Sequence, residues 1–409
     1  MPRMQAEPST ARSANSSKLR VLHLNAGNLF GGVESLLLTL ACFRQEMSSI
    51  ENEFAICFRD RFFQDLEATG AVVHDLGPVS VRKLWTVARA RKALERLLQA
   101  ARHDIVICHS PWCLAIFSPV ARHNHVPVVL WVHGELHGRH WIERWARRHP
   151  PGFAICNSRF TQSTLPAIFP ALLSQVVYCP VSPRLSDRLP HAWSRIRMEL
   201  NTPADAIVFL QASRLEEWKG HRVLLQAMSR LGSNANWIAW FAGGVQRPAE
   251  QKYLNHLQAL ARDYGIAQRV RFLGQRSDVA LLMSAADVYC QPNTEPEPFG
   301  MALVEALYAG LPVVTSAMGG AQEIVDTTCG ILVPPGDTTA LAEALRSLMQ
   351  DALLRTRLGN AGPARALHIS DPGRRLKQLE GTLRSLFSGP RTVGELADTS
   401  VLRQTGSGD

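Results

Sequence analysis

Two glutamates eight positions apart carry the strongest chemical signal in this chain. They are Glu297 and Glu305, in the segment Gln291-Pro292-Asn293-Thr294-Glu295-Pro296-Glu297-Pro298-Phe299-Gly300-Met301-Ala302-Leu303-Val304-Glu305-Ala306-Leu307. A carboxylate accepts two hydroxyl hydrogens well, so each could hold a diol of a sugar or a ribose. Pro298 has no backbone donor. Glu297 is therefore expected just ahead of a helix opened by Phe299-Gly300, with Glu305 about one turn inside it. The amides of Gly300, Met301 and Ala302 would stand free at the helix start, where the dipole favours an anion. A plainer reading makes Glu297 a helix cap and Glu305 a solvated helix residue. It does not explain why Glu305 sits among Leu303, Val304, Ala306 and Leu307, because a buried carboxylate needs partners.

Two further segments suit an anion. Ser213-Arg214-Leu215-Glu216-Glu217-Trp218-Lys219-Gly220 follows a strand-like run and offers Arg214 and Lys219 five positions apart. Arg supplies a planar fork and Lys a point charge, a pair that suits a diphosphate; taken alone they also read as solvated loop cations. Gly31-Gly32-Val33-Glu34 lies between a strand and a helix. Adjacent glycines let backbone approach a ligand at a helix N-terminus, although the run is not the G-x-G-x-x-G pattern and also fits a tight turn.

The elements that must position these residues form two series. Strand-like runs at Leu19–Asn25, Phe54–Phe58, Val72–Leu76, Ile105–His109, Val126–His133, Ala154–Asn157 and Val176–Cys179 alternate with helical patterns, notably Gly31–Met47 and Val81–Arg102. Cys179–Ala192, with Pro180, Pro183 and Pro190, reads as a linker. A second series of runs follows from Ala206 to Met349, with Leu376–Phe387 as a last helix. Alternating strands and helices predict parallel, doubly wound α/β sheets. The expected architecture is two Rossmann-like domains, 18–189 and 190–370, facing across a cleft, then a crossover helix at 371–388. A polar leader at 1–17 and a polar tail at 389–409 are expected to be disordered. Ligands in such sheets bind beyond the carboxyl ends of the strands.

Composition removes other classes. Of 409 residues, 46% are hydrophobic and 19% charged, which is globular composition. No run of about 18 apolar residues suggests a membrane-spanning helix, and the leader lacks the apolar core of a secretory signal. The eight cysteines form no C-x-x-C pair and read as buried thiols of a cytoplasmic protein, with no zinc pattern. Basic residues exceed acidic ones by 44 − 35 = 9. The excess is uneven: 22 − 14 = 8 over residues 1–190 and 22 − 21 = 1 over residues 191–409.

The ordered set of motifs resembles the retaining nucleotide-sugar glycosyltransferases of the GT-B fold, family 4, also called glycosyl transferases group 1. The family's E-x₇-E matches Glu297 to Glu305, its R-x₄-K pair matches Arg214 and Lys219, and its GG-x-E loop matches Gly31 to Glu34. Gly319-Gly320 with Glu323, Phe241–Gly244, Phe272–Gly274 and Leu332–Asp337 match further family segments, over about residues 19–388. The loop Pro292–Gly300 departs from the shorter family form and leaves Glu295 as a second choice for the first glutamate; the spacing favours Glu297.

The resemblance implies roles. Arg214, Lys219 and the Gly31-Gly32 backbone would bind the donor diphosphate, and Glu305 the nucleotide ribose. Glu297 would contact the transferred sugar with help from Phe299, Gly300, Met301 and Ala302, and His133 would face the same sugar from its strand end. The chain has no D-x-D, which fits a metal-independent reaction with no cofactor. The expected partners are a nucleotide-sugar donor and a glycan or lipid-linked acceptor, in envelope or exopolysaccharide synthesis. An epimerase or hydrolase on the same fold, or a silent nucleotide-sugar-binding subunit, are the alternatives.

The surplus charge points elsewhere. On a helix over Val81–Arg102, Arg82, Trp85, Arg89, Lys92 and Arg96 share the face opposite Val87, Ala90, Leu94 and Leu98. A second cluster holds Arg139, Trp141 and Trp145. Arg with Trp fits an anionic membrane surface or acceptor, and otherwise an ordinary solvated helix face. No nucleic-acid module is recognisable, so no nucleic-acid partner is expected. The implied place is cytoplasmic, peripheral on the inner face of the plasma membrane.

Overall fold

The structure is a computed structural model that describes residues 18–27, 31–183, 190–232 and 235–388. The leader, the tail and residues Asn28, Leu29 and Phe30 of the glycine loop lie outside the described residues.

The first series folds as β1 Leu19–Asn25, α1 Gly32–Cys42, β2 Ile50–Ile56, α2 Arg61–Ala68, β3 Val72–Asp75, α3 Leu84–Ala100, β4 Ile105–Cys108, α4 Pro111–His123, β5 Val128–Val132, α5 Trp141–Ala146, β6 Phe153–Cys156, α6 Arg159–Thr164 and β7 Ser174–Val176. These strands form one parallel sheet in the order β3-β2-β1-β4-β5-β6-β7. The second series is α7 Pro190–Glu199, β8 Ile207–Ala212, α8 His221–Met228, β9 Trp237–Ala242, α9 Pro248–Asp263, β10 Val270–Gly274, α10 Val279–Ala285, β11 Val288–Gln291, α11 Met301–Tyr308, β12 Val313–Ser316, α12 Ala321–Ile324, β13 Gly330–Val333, α13 Thr338–Gln350, α14 Ala352–Ser370 and α15 Pro372–Ser388. Its strands form a parallel sheet in the order β10-β9-β8-β11-β12-β13. Both sheets are doubly wound, as the alternation predicted. Strands buried on both faces read as continuous apolar runs, such as Ile105–Cys108 and Val313–Ser316, all buried.

Several boundaries moved. The helix expected over Val81–Arg102 is Leu84–Ala100, so Arg82 lies ahead of it. The strand expected to reach His133 ends at Val132, which frees His133 from the ladder. Pro190 opens α7, because Pro is tolerated in a first turn whose amides have no partner. Helix α14 was not anticipated; its Pro363 interrupts a helical sequence. The cysteines are all free, and seven are buried while Cys42 is exposed.

The two sheets are tied together in two places. Helix α15 returns to the first sheet: Gln378 Nε2 donates to the Val176 carbonyl at 2.9 Å, Thr382 Oγ1 to Gln175 Oε1 at 3.0 Å, and the Ser49 amide to Glu380 Oε1 at 2.7 Å. On the cleft side Ser158 Oγ donates to the Pro298 carbonyl at 2.6 Å. Glu323 accepts the Arg159 and Phe160 amides at 3.0 and 2.9 Å and the Tyr178 hydroxyl at 2.8 Å. A carboxylate at the head of α6 is the partner its dipole favours.

Candidate functional site

The loop between β11 and α11 carries the first glutamate. Glu297 is 7% exposed, and three donors converge on its Oε2: Lys219 Nζ at 2.7 Å, Asn293 Nδ2 at 2.7 Å and Gln291 Nε2 at 3.0 Å. This satisfies one oxygen of a buried carboxylate and leaves Oε1 with no donor among the described residues. Glu297 does not cap the helix: among the described residues its carboxylate takes these three side-chain donors and no first-turn amide of α11. The amides of Met301 and Ala302 are first-turn groups without a helical partner. Glu295 is exposed, so the geometry separates it from Glu297. Glu305 is half-buried rather than buried. The buried Tyr289 phenol is held neutral first by burial and then by the charges of Glu305 and Glu297.

Backbone shape holds this loop. Glu297 makes a parallel bridge with Gly319, and its carbonyl accepts the Gly320 amide at 2.7 Å. Gly319 has φ +60°, and a Cβ there would meet the Glu297 carbonyl oxygen at 2.4 Å. Gly220, at φ +74°, brings the Arg214–Lys219 loop so close that a Cβ would lie 1.8 Å from the Pro292 carbonyl. Only glycine fits either place. The Thr294 amide donates to the Trp218 carbonyl at 2.8 Å, and Lys219 Nζ also lies 3.8 Å from the Trp218 ring centre. Arg214 pairs with Glu216 at 2.9 Å.

The glycine loop faces these groups from the first sheet. Glu34 Oε2 accepts the Gly31 amide at 2.9 Å, and its Oε1 accepts Asn25 Nδ2 at 2.9 Å. Gly31 thus donates within the loop, while Gly32 opens α1. Burial pushes the Glu34 carboxyl up, and its bonds from Asn25 and Gly31 and the charge of Arg214 oppose that rise. A Cβ on Gly32 would sit 3.6 Å from Met301 Sδ. His133 is half-buried just past β5. The adjacent strand β6 leads to Ser158 and its bond to Pro298, so His133 stands one strand from the Glu297 loop.

The profile described as Glycosyl transferases group 1 matches residues 194–365, and that described as Glycosyltransferase Family 4 matches residues 30–185. The chain belongs to the group 1 glycosyltransferases. The lipopolysaccharide core biosynthesis glycosyltransferase LpsE of Rhizobium meliloti is 34% identical over 167 residues, 41% of this chain and 46% of that protein. The phosphatidyl-myo-inositol mannosyltransferase of Mycobacterium leprae is 46% identical over 101 residues, 24% of this chain and 27% of that protein. The chain thus spans less than half the length of these curated relatives. Among solved structures, Anabaena HepE in complex with UDP and glucose is 26% identical with a TM-score of 0.79, covering 90% of this chain and 100% of that one.

In this group 1 glycosyltransferase the basic residues form a separate surface. On α3, Val87, Ala90, Leu94 and Leu98 are buried while Trp85, Arg89, Lys92 and Arg96 are exposed. Trp85 is 62% exposed with Arg89 over its ring at 5.4 Å. Arg91 reaches over Trp145 at 6.0 Å, and Trp112 meets Trp141 and Trp145 edge-on. The second cluster therefore packs against the flank of α3 that carries Arg91, with Arg139 and Trp141 exposed and Trp145 half-buried. None of them reaches the Glu297 loop. Among the described residues no group of three or more His, Cys, Asp or Glu is placed to hold a metal ion, and no helix is long and apolar enough to cross a membrane.

Sequence reasoning missed the residues that orient the site. Gln291 and Asn293 flank the Glu297 carboxylate, and Glu216 gathers Arg214, Arg247 and the Trp218 indole. Gln291 ends an otherwise apolar strand, which was a readable signal. His109 and His23 also went unnoticed, although Leu-His-Leu-Asn, Cys-His-Ser and Val-His-Gly each put a histidine at or near a strand's carboxyl end.

Proposed function

We propose that this chain transfers a sugar from a nucleoside diphosphate donor to a glycan or lipid-linked acceptor, with retention of configuration and without a metal. The observation that carries the reading is the Glu297 carboxylate, anchored through Oε2 beside the Lys219 ammonium at the head of α11. In this reading Arg214, Lys219 and the Gly32 amide receive the diphosphate, and Glu305 holds the ribose. Glu297 Oε1 takes sugar hydroxyls, assisted by the backbone of Phe299 to Ala302. The bond from the sugar's anomeric carbon to the phosphate oxygen breaks. The acceptor oxygen bonds that carbon on the same face, and the departing phosphate takes the acceptor's hydroxyl proton.

Support for the donor class comes from the resemblance to HepE, which was solved with UDP and glucose. Support for the acceptor class comes from relatives named for lipopolysaccharide core and phosphatidyl-myo-inositol. The Arg/Trp surface of α3 and α5 is read as the side that meets an anionic membrane. Binding to phosphatidylglycerol vesicles at low salt, lost on reversing Arg89, Lys92 and Arg96 to Glu, would support that.

The test of the function is a melting screen with UDP-, GDP- and ADP-sugars, followed by transfer assays. One donor class is expected to raise the melting temperature of the wild type, and Glu297→Ala to abolish transfer. No response to any sugar nucleotide would overturn the reading, and donor turnover to an epimer without acceptor would replace transfer by epimerisation.

A further inference from the structure

A polar line crosses the first sheet from its middle to the cleft. Asn52 on β2 lies opposite Val21, and His23 is two residues further along β1. His23 lies opposite Ile107, and His109 is two residues beyond it. Cys108 lies opposite Leu130, so the same register puts His133 two residues past the position facing His109. Each step moves one strand sideways and two residues forward, which keeps every side chain on one face of the sheet. The rings follow that diagonal. Asn52 Oδ1 is 3.1 Å from His23 Nε2, His23 Nδ1 is 2.9 Å from His109 Nε2, and His109 Nδ1 is 2.9 Å from His133 Nε2. Neighbouring ring centres are 5.2 Å apart.

Such a chain has a direction. Burial depresses His23 to about 4 and His133 to about 3, and His109 falls well below the usual value through burial and its two neighbours. All three are therefore neutral at pH 7, and each carries one N–H. The Asn52 carbonyl oxygen only accepts, so His23 must donate from Nε2. His23 Nδ1 is then an acceptor and takes the hydrogen of His109 Nε2, and His109 Nδ1 takes that of His133 Nε2. Asn52 Nδ2 is buried without a partner, so His23 is this amide's one hydrogen-bonded neighbour among the described residues.

We propose that Asn52, acting through His23 and His109, is a positioning residue that holds His133 as the Nε2–H tautomer, so that its Nδ1 lone pair faces the cleft as an acceptor for a hydroxyl of the transferred sugar. The tautomer assignment stands on the ring contacts and on the neutrality of the buried rings; the ligand rests on the proposed glycosyl transfer. An acceptor nitrogen at that place favours a donor that bears a hydroxyl there over the deoxy analogue that lacks it.

The test labels the full chain with ¹⁵N-histidine and reads two-bond ¹H–¹⁵N correlations at pH 7.5. The expected pattern is Nε2–H for all three rings; Nδ1–H at His133 overturns the proposal. Asn52→Leu removes the terminal acceptor and should give mixed tautomers and a KM for the accepted sugar nucleotide raised about tenfold, while Asn52→Asp, still an acceptor, restores both. Unchanged tautomers in Asn52→Leu overturn the role of Asn52. Monodeoxy analogues of the accepted sugar nucleotide that all bind as tightly as the parent overturn the ligand assignment. Three Nε2–H rings in a protein that transfers no sugar would uphold the tautomer chain and overturn the proposed activity instead.

Discussion

Lys219→Ala separates the two duties of one side chain. The side chains of Lys219 and Glu297 are 12% and 10% exposed, and their charged atoms are 2.7 Å apart. Removing the ammonium leaves a buried carboxylate with only Asn293 and Gln291 as donors. Breaking a buried pair from one side costs roughly 3–5 kcal/mol, and the two remaining amides put this case near the lower figure. At roughly 2–4 °C per kcal/mol for a chain of this kind, the melting temperature should fall by about 6–12 °C. Glu297→Gln in the same chain removes the stranded charge and should recover most of that loss. Transfer behaves differently, because a cation aimed at developing charge is worth about 10²–10³ in kcat. The double variant should therefore be stable and inactive. Scanning calorimetry and a product assay on the wild type, both single variants and the double variant complete the cycle. A single variant that melts within about 2 °C of wild type, or a double variant that transfers normally, would refute the coupling.

The buried histidines make the fold acid-labile. His23, His109 and His221 are all depressed by burial, so the unfolded chain binds protons near 6.5 while the folded one does not. Stability is full above pH 6.5 and falls as pH drops toward the folded values. Each histidine forfeits about 1.4 kcal/mol between pH 7.5 and 5.5, about 4 kcal/mol together; urea midpoints that do not change across that range would contradict this. Glu323→Ala removes the acceptor shared by the α6 amides and Tyr178 and should cost about 1–2 kcal/mol. Tyr178→Phe on top of it should add almost nothing, and strictly additive losses in chemical unfolding would show that the two do not share one contact.

Much of the architecture was legible because parallel strands buried on both faces leave unbroken apolar runs, and these gave both sheets. Helix ends were less legible. Arg82 continues the basic spacing of α3 yet precedes its start at Leu84, since periodicity does not register where backbone bonding begins. The acids and cations at Glu297, Glu305, Arg214 and Lys219 could be read from type and spacing. The bond from Lys219 to Glu297 could not, because 78 residues separate them and they meet only through tertiary contacts, the approach of Gly220 to Pro292 and the Thr294–Trp218 bond among them. The bond from the Gly31 amide to Glu34, three positions on, was not anticipated either, because the glycines were read only for backbone freedom. The histidine line was hidden because register, which sequence does not display, decides that residues on four strands share one diagonal.

The segment from Glu297 to Glu323 belongs to both halves of the cleft. Its carboxylate at Glu297 gathers donors from the second sheet, while the Pro298 carbonyl and Glu323 receive donors from α6 of the first. Phe299, buried between them, lies against Tyr178 at 5.9 Å between ring centres. Arg365 of α14 in turn donates to the carbonyls of Glu323 and Ile324 at 2.8 Å. A displacement of one sheet relative to the other must therefore pull on the backbone that positions Glu297, since packed side chains and bonded carbonyls transmit strain over such short spans. The arrangement of the site and the arrangement of the two sheets are one mechanical unit. Gly319 and Gly320 join Glu323 to the Glu297 backbone so closely that a Cβ on the first would lie 2.4 Å from the Glu297 carbonyl oxygen and one on the second 2.7 Å from that of Pro298.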